Sequence, residues 1–374
     1  MRNFYQYIFT ILPFWEDRPD GMLHLLTLHE RRRVLQVQYW AIVISVLLSV
    51  MGFVLLYLPQ YEMPHLFTKT MLTLPYFGVV HFPLVATVYG VVLMLAEILL
   101  LTILHLYSVH RIAAITGYLT PADLAETDKI KTDKVKTVLD VSLEVKNKAQ
   151  EELGIDPYQG LSAAVVFGYN LIFRLKGLLS SVLLKWVLQR LLGRFAVREL
   201  LDFSGLPIYG FLNGYSTYTL LREARVVIMG QHLIERCLAR IDFAALNTPD
   251  FADLLYDTLQ FIAINKRDYH NNHYLLTKLL LERCNVAARD THRLRNDYYT
   301  HLKKATPAVQ TFCLLIVHLG FLLDGEISIR ERVTIQNLID EGFAVEDFAD
   351  LERHLKAFLS GSGMESLLAK YVIY

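Results

Sequence analysis

The chain has 374 residues, of which 53% are hydrophobic, and its 37 basic side chains are balanced by 37 acidic ones. A net charge of zero argues against a general nucleic-acid-binding protein, because such proteins carry a basic excess. Three scattered cysteines without Cys-x-x-Cys spacing favour buried thiols in a reducing compartment over disulfides or zinc ligands.

Two long uncharged runs lie near the N-terminus, from Val34 to Tyr61 and from Thr70 to Ala96. A bilayer core about 30 Å thick is crossed by roughly 20 apolar helical residues. After an N-terminal cytoplasmic segment, residues 1–37, we therefore expect a transmembrane helical hairpin over residues 38–108. Its spans are predicted at about 39–58 and 77–107.

The start of the second span decides the environment of Glu97. A span that begins near residue 77, with a kink at Pro83, ends before Glu97 and leaves it at the headgroups. A span that begins at Pro83 encloses Glu97. An intramembrane carboxylate is costly and usually has a polar partner. The predicted partners are Ser45 or Ser49 on the first span, or Glu97 of a second protomer.

Positive charge flanks the hairpin on its outer ends. Arg31–Arg33 precede the first span and Arg111 follows the second. The charged side chains of the connecting loop are Glu62 and Lys69 alone. Because cytoplasmic flanks carry the basic excess, both termini are predicted to face the cytoplasm.

Two helical regions are predicted after the hairpin. Residues 109–160 mix lysine with acidic residues and are interpreted as a charged cytoplasmic linker; residues 161–246 are interpreted as an amphipathic, membrane-interfacial region. Two further spans, or a buried core helix, are the alternatives; spans would place cations in the membrane at about 2.5–3.5 kcal/mol each. The cations expected at anionic lipid headgroups are Arg174, Lys176, Lys185, Arg190, Arg194 and Arg198.

The C-terminal part, residues 247–374, has the signals of a compact helical domain. Thr248-Pro249-Asp250 and Thr306-Pro307 each predict a helix cap followed by a first-turn proline. Apolar residues then recur at helical spacing, and no strand pattern is evident. The predicted fold class is all-α: a transmembrane helical hairpin, a cytoplasmic helical region and a helical bundle.

The most specific short pattern runs from Leu322 to Glu331. It predicts a helix end, a left-handed turn at Gly325, and a capping box formed by Ser328 and Glu331. A corner between two helices needs nothing more. Three carboxylates lie within this pattern, those of Asp324, Glu326 and Glu331. They are close enough in sequence to bind a divalent cation through oxygen ligands and are the candidate metal ligands.

This corner, with the apolar helix before it, resembles the tellurite-resistance TerB-like family over residues 248–362. The resemblance implies an all-helical, duplicated domain with acidic clusters proposed to bind metal, and an association with envelope stress at the bacterial inner membrane. The first copy departs from the pattern, because Asn265 stands where the second has Asp324 and Lys266 stands where it has Gly325.

Other candidate sites are less specific. His270 and His273 are one helical turn apart, with His292 downstream, and could share a metal, although exposed loop histidines explain the same spacing. No Walker loop, nucleophile elbow or glycine-rich dinucleotide turn is present, which lowers the expectation of an enzyme.

The predicted function is therefore a membrane-anchored, non-enzymatic binding or scaffold module without a cofactor other than a divalent cation. Its expected partners are the lipid bilayer, an unknown protein and a second copy of the chain in a homo-oligomer. The alternative is an oligomeric channel, transporter or lipid-handling protein regulated by the helical domain.

Overall fold

The structure is a computed structural model that describes residues 26–67, 70–74, 78–82, 84–119, 129–142, 151–168, 198–246, 248–268, 270–362, 367 and 371. The described chain divides into two compact units. Unit 1 draws on Val34–Ile112 and Phe167–Arg222. Unit 2 draws on the described residues before Val34, on Ala113–Val166 and on Glu223–Tyr374.

Most of the described residues are helical, as the all-α prediction requires. The helices are α1 (Leu28–Glu62), α2 (Leu84–Ile115), α3 (Lys129–Ser142), α4 (Arg198–Leu238), α5 (Phe251–Lys266), α6 (Asn271–Arg283), α7 (Tyr298–Lys304), α8 (Pro307–Leu322), α9 (Ile329–Asp340) and α10 (Phe348–Ser360). Short 3-10 turns occur at Pro64–Phe67, Glu151–Leu153 and Phe243–Leu246.

One antiparallel hairpin was not predicted. Strands β1 (Thr70–Leu74) and β2 (Gly78–Phe82) pair with Thr70 opposite Phe82. The second span was expected to start near residue 77 or at Pro83, and α2 begins at Leu84, directly after Pro83. Proline lacks a backbone N–H and disfavours helical backbone in the residue before it, so a helix starts after it more readily than it passes through. The helix therefore follows the later of the two starts, and strand β2 occupies the residues before it.

Unit 1 shows an inverted distribution of polarity. α1 and α2 are long and apolar enough to span a membrane, yet only 17% and 0% of their most apolar windows are buried. Leu47 and Leu95 are 58% and 56% exposed, whereas Ser45 and Ser49 are buried. A core helix of a soluble protein buries its apolar side chains. These two helices instead present them outward, as a helix in hydrocarbon does.

Unit 2 has the opposite arrangement, with α8 at its centre. Thr306 caps this helix through its hydroxyl, Pro307 occupies the first turn, and the apolar residues from Phe312 to Leu322 are buried. α8 packs against α5, α7 and α10. These contacts account for the compact helical bundle.

Unit 2 begins earlier in the chain than the expected boundary at residue 247. Ile234 and Leu238 of α4, together with Leu26 and Ile155, belong to its buried core. Gln260 on α5 exchanges two hydrogen bonds with the backbone of Asp156, at 3.1 and 2.6 Å. Chain segments far from the C-terminal bundle in sequence therefore complete its core.

Candidate functional site

The predicted cation corner lies between α8 and α9 in unit 2. Gly325 takes a left-handed backbone with φ 74°, and a Cβ added there would lie 2.6 Å from Val226 Cγ2. The Ser328 hydroxyl accepts the Glu331 backbone N–H, while a Glu331 carboxylate oxygen accepts the Ser328 backbone N–H at 2.7 Å. The predicted capping box is confirmed, and both the turn and its surroundings require glycine.

The ammonium group of Lys266 lies at the centre of this corner. Lys266 Nζ is 2.6 Å from Asp324 Oδ1 and 2.6 Å from Glu331 Oε1. It also donates to the carbonyl oxygens of Phe321 and Glu326, at 2.8 and 2.9 Å. We call these five residues the Lys266 cluster. Asp324 and Glu331 are brought together as predicted, and Glu326 contributes its backbone carbonyl to the ammonium.

Two charged side chains of the Lys266 cluster are almost completely buried. The side chains of Lys266 and Glu331 are 2% and 1% exposed. Burial opposes the ionised form of Asp324, but the charges of Lys266, His273 and His270 outweigh it and lower the pKa of that carboxyl group. Burial raises the pKa of Glu331 against the attraction of Lys266. An amine thus supplies the positive charge that these carboxylates require.

A four-oxygen shell around one cationic group is also what a hard divalent ion would use. Within the described ranges, no group of three histidine, cysteine or acidic side chains is placed to hold a metal ion. The divalent-cation site at Asp324, Glu326 and Glu331 stays a prediction, with the Lys266 ammonium at its centre in this structure.

His270 and His273 face different partners. The ring centroids are 5.7 Å apart, but His270 Nε2 lies 3.0 Å from Glu223 Oε1, and His273 Nε2 lies 2.7 Å from the Gly320 carbonyl oxygen. Burial lowers the pKa of His273 to about 4. Burial also acts against protonation of His270, but the Glu223 carboxylate outweighs it and raises the pKa. The adjacent rings therefore prefer opposite protonation states.

His292 belongs to a separate network on α5. Its Nε2 is 2.8 Å from Asp257 Oδ1, and Arg295 Nε donates to Asp257 Oδ2 at 2.7 Å. Arg289 approaches the other ring nitrogen at 3.1 Å and pairs with Asp253. Because both nitrogens of the His292 ring are engaged, this network fixes the loop before α7 to α5, and the three histidines do not form one metal site.

Unit 1 contains a polar cluster of its own, formed by Ser49 on α1, Glu97 on α2 and Asn213 on α4. The Asn213 amide donates to Glu97 Oε1 at 2.7 Å and to Ser49 Oγ. Asn213 and Ser49 are 2% and 3% exposed. Ser49 was a predicted partner of Glu97, and the structure connects them through Asn213, which the sequence analysis missed. Asn213 is the one carboxamide in the uncharged segment 205–221, a signal that could have found it.

Two glycines bring α4 close to α1. A Cβ added at Gly214 would lie 3.0 Å from Val46 Cγ2, and one added at Gly210 would lie 3.3 Å from Val46 Cγ1. Small residues four apart allow such close packing of membrane helices. An open apolar groove of about 510 Å³ remains beside this contact. It is lined by Ile42, Val46, Val50, Pro207, Gly210, Phe211, Gly214, Tyr215 and Tyr218.

The predicted headgroup-binding cations fall outside the part of the chain that the structure describes. Arg174, Lys176, Lys185, Arg190 and Arg194 lie between residues 168 and 198. Arg198 is the first residue of α4, and its side chain is likewise outside the described part.

Comparison of the chain with protein-family models, curated proteins and solved structures gave no match. The resemblance to the TerB-like family therefore stays a prediction.

Proposed function

We propose that this chain is a membrane-anchored, non-enzymatic binding module of a bacterial inner membrane, with a TerB-like helical unit facing the cytoplasm. The observation that carries the proposal is the inverted burial of unit 1, where Leu47 and Leu95 face outward and Ser45 and Ser49 face inward. Water penalises such a surface, at about 25 cal/mol for each square ångström of apolar area, whereas hydrocarbon does not.

The path of the chain supports an N-in, C-in hairpin. Leu26, before α1, donates its backbone N–H to the Gly361 carbonyl oxygen at 3.2 Å. Tyr118, after α2, donates its hydroxyl to Gln231. Both outer ends of the hairpin thus belong to unit 2. This favours a hairpin whose two ends face the same side of the bilayer. The arginines at 31–33 favour the cytoplasmic side.

The contacts of α4 favour a third membrane-embedded helix over an interfacial one. Asn213 contacts Ser49 and Glu97, and one turn later the Thr217 hydroxyl lies 3.0 Å from His105 Nε2. Residues 205–221 contain no charged side chain. A helix that packs along both proposed spans is expected to lie at their depth. Because the chain leaves unit 2 after Val166 and rejoins it at Glu223, within α4, the four-span alternative requires a return crossing before residue 198.

Impermeant thiol labelling in intact cells tests this topology. Leu66→Cys, in the exposed turn after α1, should react from outside, whereas Glu341→Cys in unit 2 should react only after the cells are permeabilised. Gln189→Cys should react from outside if four spans exist and remain unlabelled if the region is interfacial. The reverse pattern at positions 66 and 341 would contradict the proposed orientation.

The native cysteines should contribute little background to this experiment. Cys237 and Cys313 are buried, with exposures of 1% and 0%. Burial raises the pKa of the Cys284 thiol to about 12, so it holds its proton at neutral pH. The unmodified chain is the matched control and should remain unlabelled under the same conditions.

We place the partner-binding surface on α9. Ile329 and Val333 are 80% and 54% exposed on one face of this helix, while Ile335 and Leu338 on the opposite side are buried. Exposed apolar residues one turn apart suit contact with a second polypeptide. A photo-crosslinking amino acid at Val333 in native membranes should give one discrete adduct, which Ile329→Lys should remove.

The adduct distinguishes the two expected protein partners. Its mass identifies either a second copy of the chain or a different protein. The matched control is the same crosslinker at Lys303, an exposed position on α7, which should give no discrete adduct. Absence of an adduct at Val333, or an adduct unaffected by Ile329→Lys, would contradict a partner surface on α9.

A further inference from the structure

The apolar groove between α1 and α4 in unit 1 has a volume of about 510 Å³. Ile42, Val46 and Val50, spaced one turn apart, line it from α1. Phe211 and Tyr215 line it from α4, with ring centroids 5.9 Å apart and ring planes only 14° apart. A space lined in this way holds no stable water, and leaving it empty would forfeit the van der Waals contacts of its lining. The groove therefore suits an apolar ligand.

The two helices run antiparallel along the groove, and only one of its ends is polar. At that end, Gln38 Nε2 donates to the Leu221 carbonyl oxygen at 3.4 Å, and Arg222 follows Leu221 in the chain. Toward the other end, the Ser49 hydroxyl donates to the Tyr209 carbonyl oxygen at 3.4 Å. In the proposed orientation α1 begins on the cytoplasmic side, so the Gln38 end of the groove lies at that surface of the membrane.

The length of the groove matches one leaflet of the bilayer. The α1 segment from Ile42 to Val50 rises about 12 Å, and the α4 segment from Pro207 to Tyr218 rises about 16 Å. Half of a hydrocarbon core about 30 Å thick is about 15 Å. Tyr218 lies at the polar end, one turn before Leu221, where a tyrosine ring suits the level of the headgroups. The groove thus has the length and the polarity gradient of an acyl chain in the cytoplasmic leaflet.

A helix from a second copy of the chain fits this groove less well. Close pairing of membrane helices uses small residues, but Gly210 and Gly214 already face Val46 on α1, at 3.3 and 3.0 Å from a Cβ added at each. Beside the groove, α4 instead presents Phe211 and Tyr215, which are 67% and 54% exposed. Such rings keep a second helix at a distance, whereas a flexible hydrocarbon chain adapts its torsions to the space between them.

We propose that the groove binds one acyl chain of a phospholipid from the cytoplasmic leaflet. The methyl end of the chain lies toward Val50 and Pro207, and the glycerol and headgroup lie near Tyr218. This inference rests on the membrane insertion proposed above and goes beyond it, because the phospholipid is a discrete ligand of α1 and α4 and not only part of the surrounding bilayer. It is therefore expected to stay with the protein when the bilayer is removed.

A photoactivatable phospholipid tests this site in the full chain. The chain is reconstituted into vesicles of phosphatidylethanolamine and phosphatidylglycerol that contain a phosphatidylethanolamine with a diazirine midway along one acyl chain, transferred to detergent, and irradiated. Light expels N₂ and the carbene inserts into a neighbouring bond, so each adduct has the mass of the lipid less N₂. We expect adducts on Val46, Val50, Phe211 and Tyr215. Leu47, at the same depth but 58% exposed on the outward face of α1, should carry none.

Two variants separate a bound phospholipid from incidental contact. Val50→Phe fills part of the groove and should abolish the adducts on α4. Leu47→Phe adds the same ring to the outward face of α1 and is the matched control, with unchanged adducts. Phe211→Ala should lower the yield at Val50, and because Phe211 is exposed this variant keeps the test valid even if Val50→Phe does not fold. Adducts that neither variant changes would overturn the proposal.

Failure of this inference and failure of the membrane proposal give different results. Adducts that form in vesicles but not after transfer to detergent mean that the groove meets only bulk lipid, which contradicts the inference and leaves the anchor intact. A photo-crosslinking amino acid at Val50 that joins another segment of the chain, or a second copy, contradicts it as well. If unit 1 is not embedded, Leu47 and Leu95 will stay unlabelled even in vesicles, and the cysteine at position 66 will lose its sidedness.

Discussion

The helices α2 and α8 are both strongly apolar, yet they lie in opposite surroundings. α8 has 16 residues, of which 12 are buried in unit 2, whereas α2 has 32 residues and none of its most apolar window is buried. Sixteen helical residues rise about 24 Å, too short to cross a bilayer without strain. Composition alone does not separate the two helices. The two helices differ in their length and in the polarity of the few side chains that face inward.

The largest expected effect concerns the charge buried in unit 2. Lys266→Met should lower the free energy of unfolding by about 3–5 kcal/mol, because the buried Glu331 and the half-buried Asp324 would both lose their cation. Pulse proteolysis of unit 2 in native membranes measures this loss. Lys303→Met is the matched control, since its ammonium pairs with Glu341 on the surface, and it should change stability by at most about 1 kcal/mol.

A second substitution tests whether exposure has a different meaning in the two units. Leu95→Arg on α2 should disfavour membrane insertion by about 2.5–3.5 kcal/mol, measured as the fraction of chain integrated into membranes. Ile329→Arg on α9 is more exposed, at 80% against 56%, and should change the stability of unit 2 by no more than about 0.5 kcal/mol. Equal effects of the two arginines would remove the distinction between the units.

The third prediction concerns pH. The folded protein keeps His273 neutral, with a pKa of about 4, whereas the unfolded chain binds a proton near pH 6.5. Unit 2 should therefore lose stability as the pH falls from 6.5 to 4, by up to about 3 kcal/mol. His273→Gln should flatten this dependence. The raised pKa of His270 has the opposite sign: its contribution is complete below pH 6.5 and is lost as the pH rises through its folded value.

The smallest effect is expected at the cap of α9. Ser328→Ala removes one half of the capping box and should lower the free energy of unfolding by about 0.5–2 kcal/mol.

The double variant Asp324→Asn with Glu331→Gln tests the predicted divalent-cation site in the same assay. A divalent ion at 100 times its dissociation constant would add about 2.7 kcal/mol to the unmodified chain and nothing to the variant. With Lys266 in place, we expect calcium, magnesium, manganese and zinc to leave the melting temperature unchanged.

Local sequence signals predicted the parts of the fold that depend on neighbouring residues. Uncharged length located the two candidate spans, and the Ser328–Glu331 spacing located the start of α9. The uncharged run left two starts open for α2, because such a run does not distinguish a strand from a helix. Pro83 is the local signal that agrees with the helix start at Leu84.

The central residues of both candidate sites could not be found from local patterns. Lys266 reaches Asp324 across 58 residues of sequence, and Asn213 reaches Glu97 across 116. Periodicity reports which face of a helix is apolar, but it does not identify which distant side chain meets that face. Lys266 was visible in the sequence as a departure from the predicted repeat. The position of its ammonium among the oxygens of Phe321, Asp324, Glu326 and Glu331 depends on tertiary packing.

The discontinuity of unit 2 has a consequence for how the protein is made. Leu26 bonds to Gly361, and Ile155 joins the same core, so the first parts of this unit leave the ribosome long before the last. At a translation rate of about 5–20 residues per second, Gly361 is synthesised roughly 20–70 s after Leu26. During that interval the early segments have no completed core, while the intervening helices of unit 1 are already being made. Nascent chains stalled before residue 361 should therefore bind chaperones and be cleaved readily by proteases.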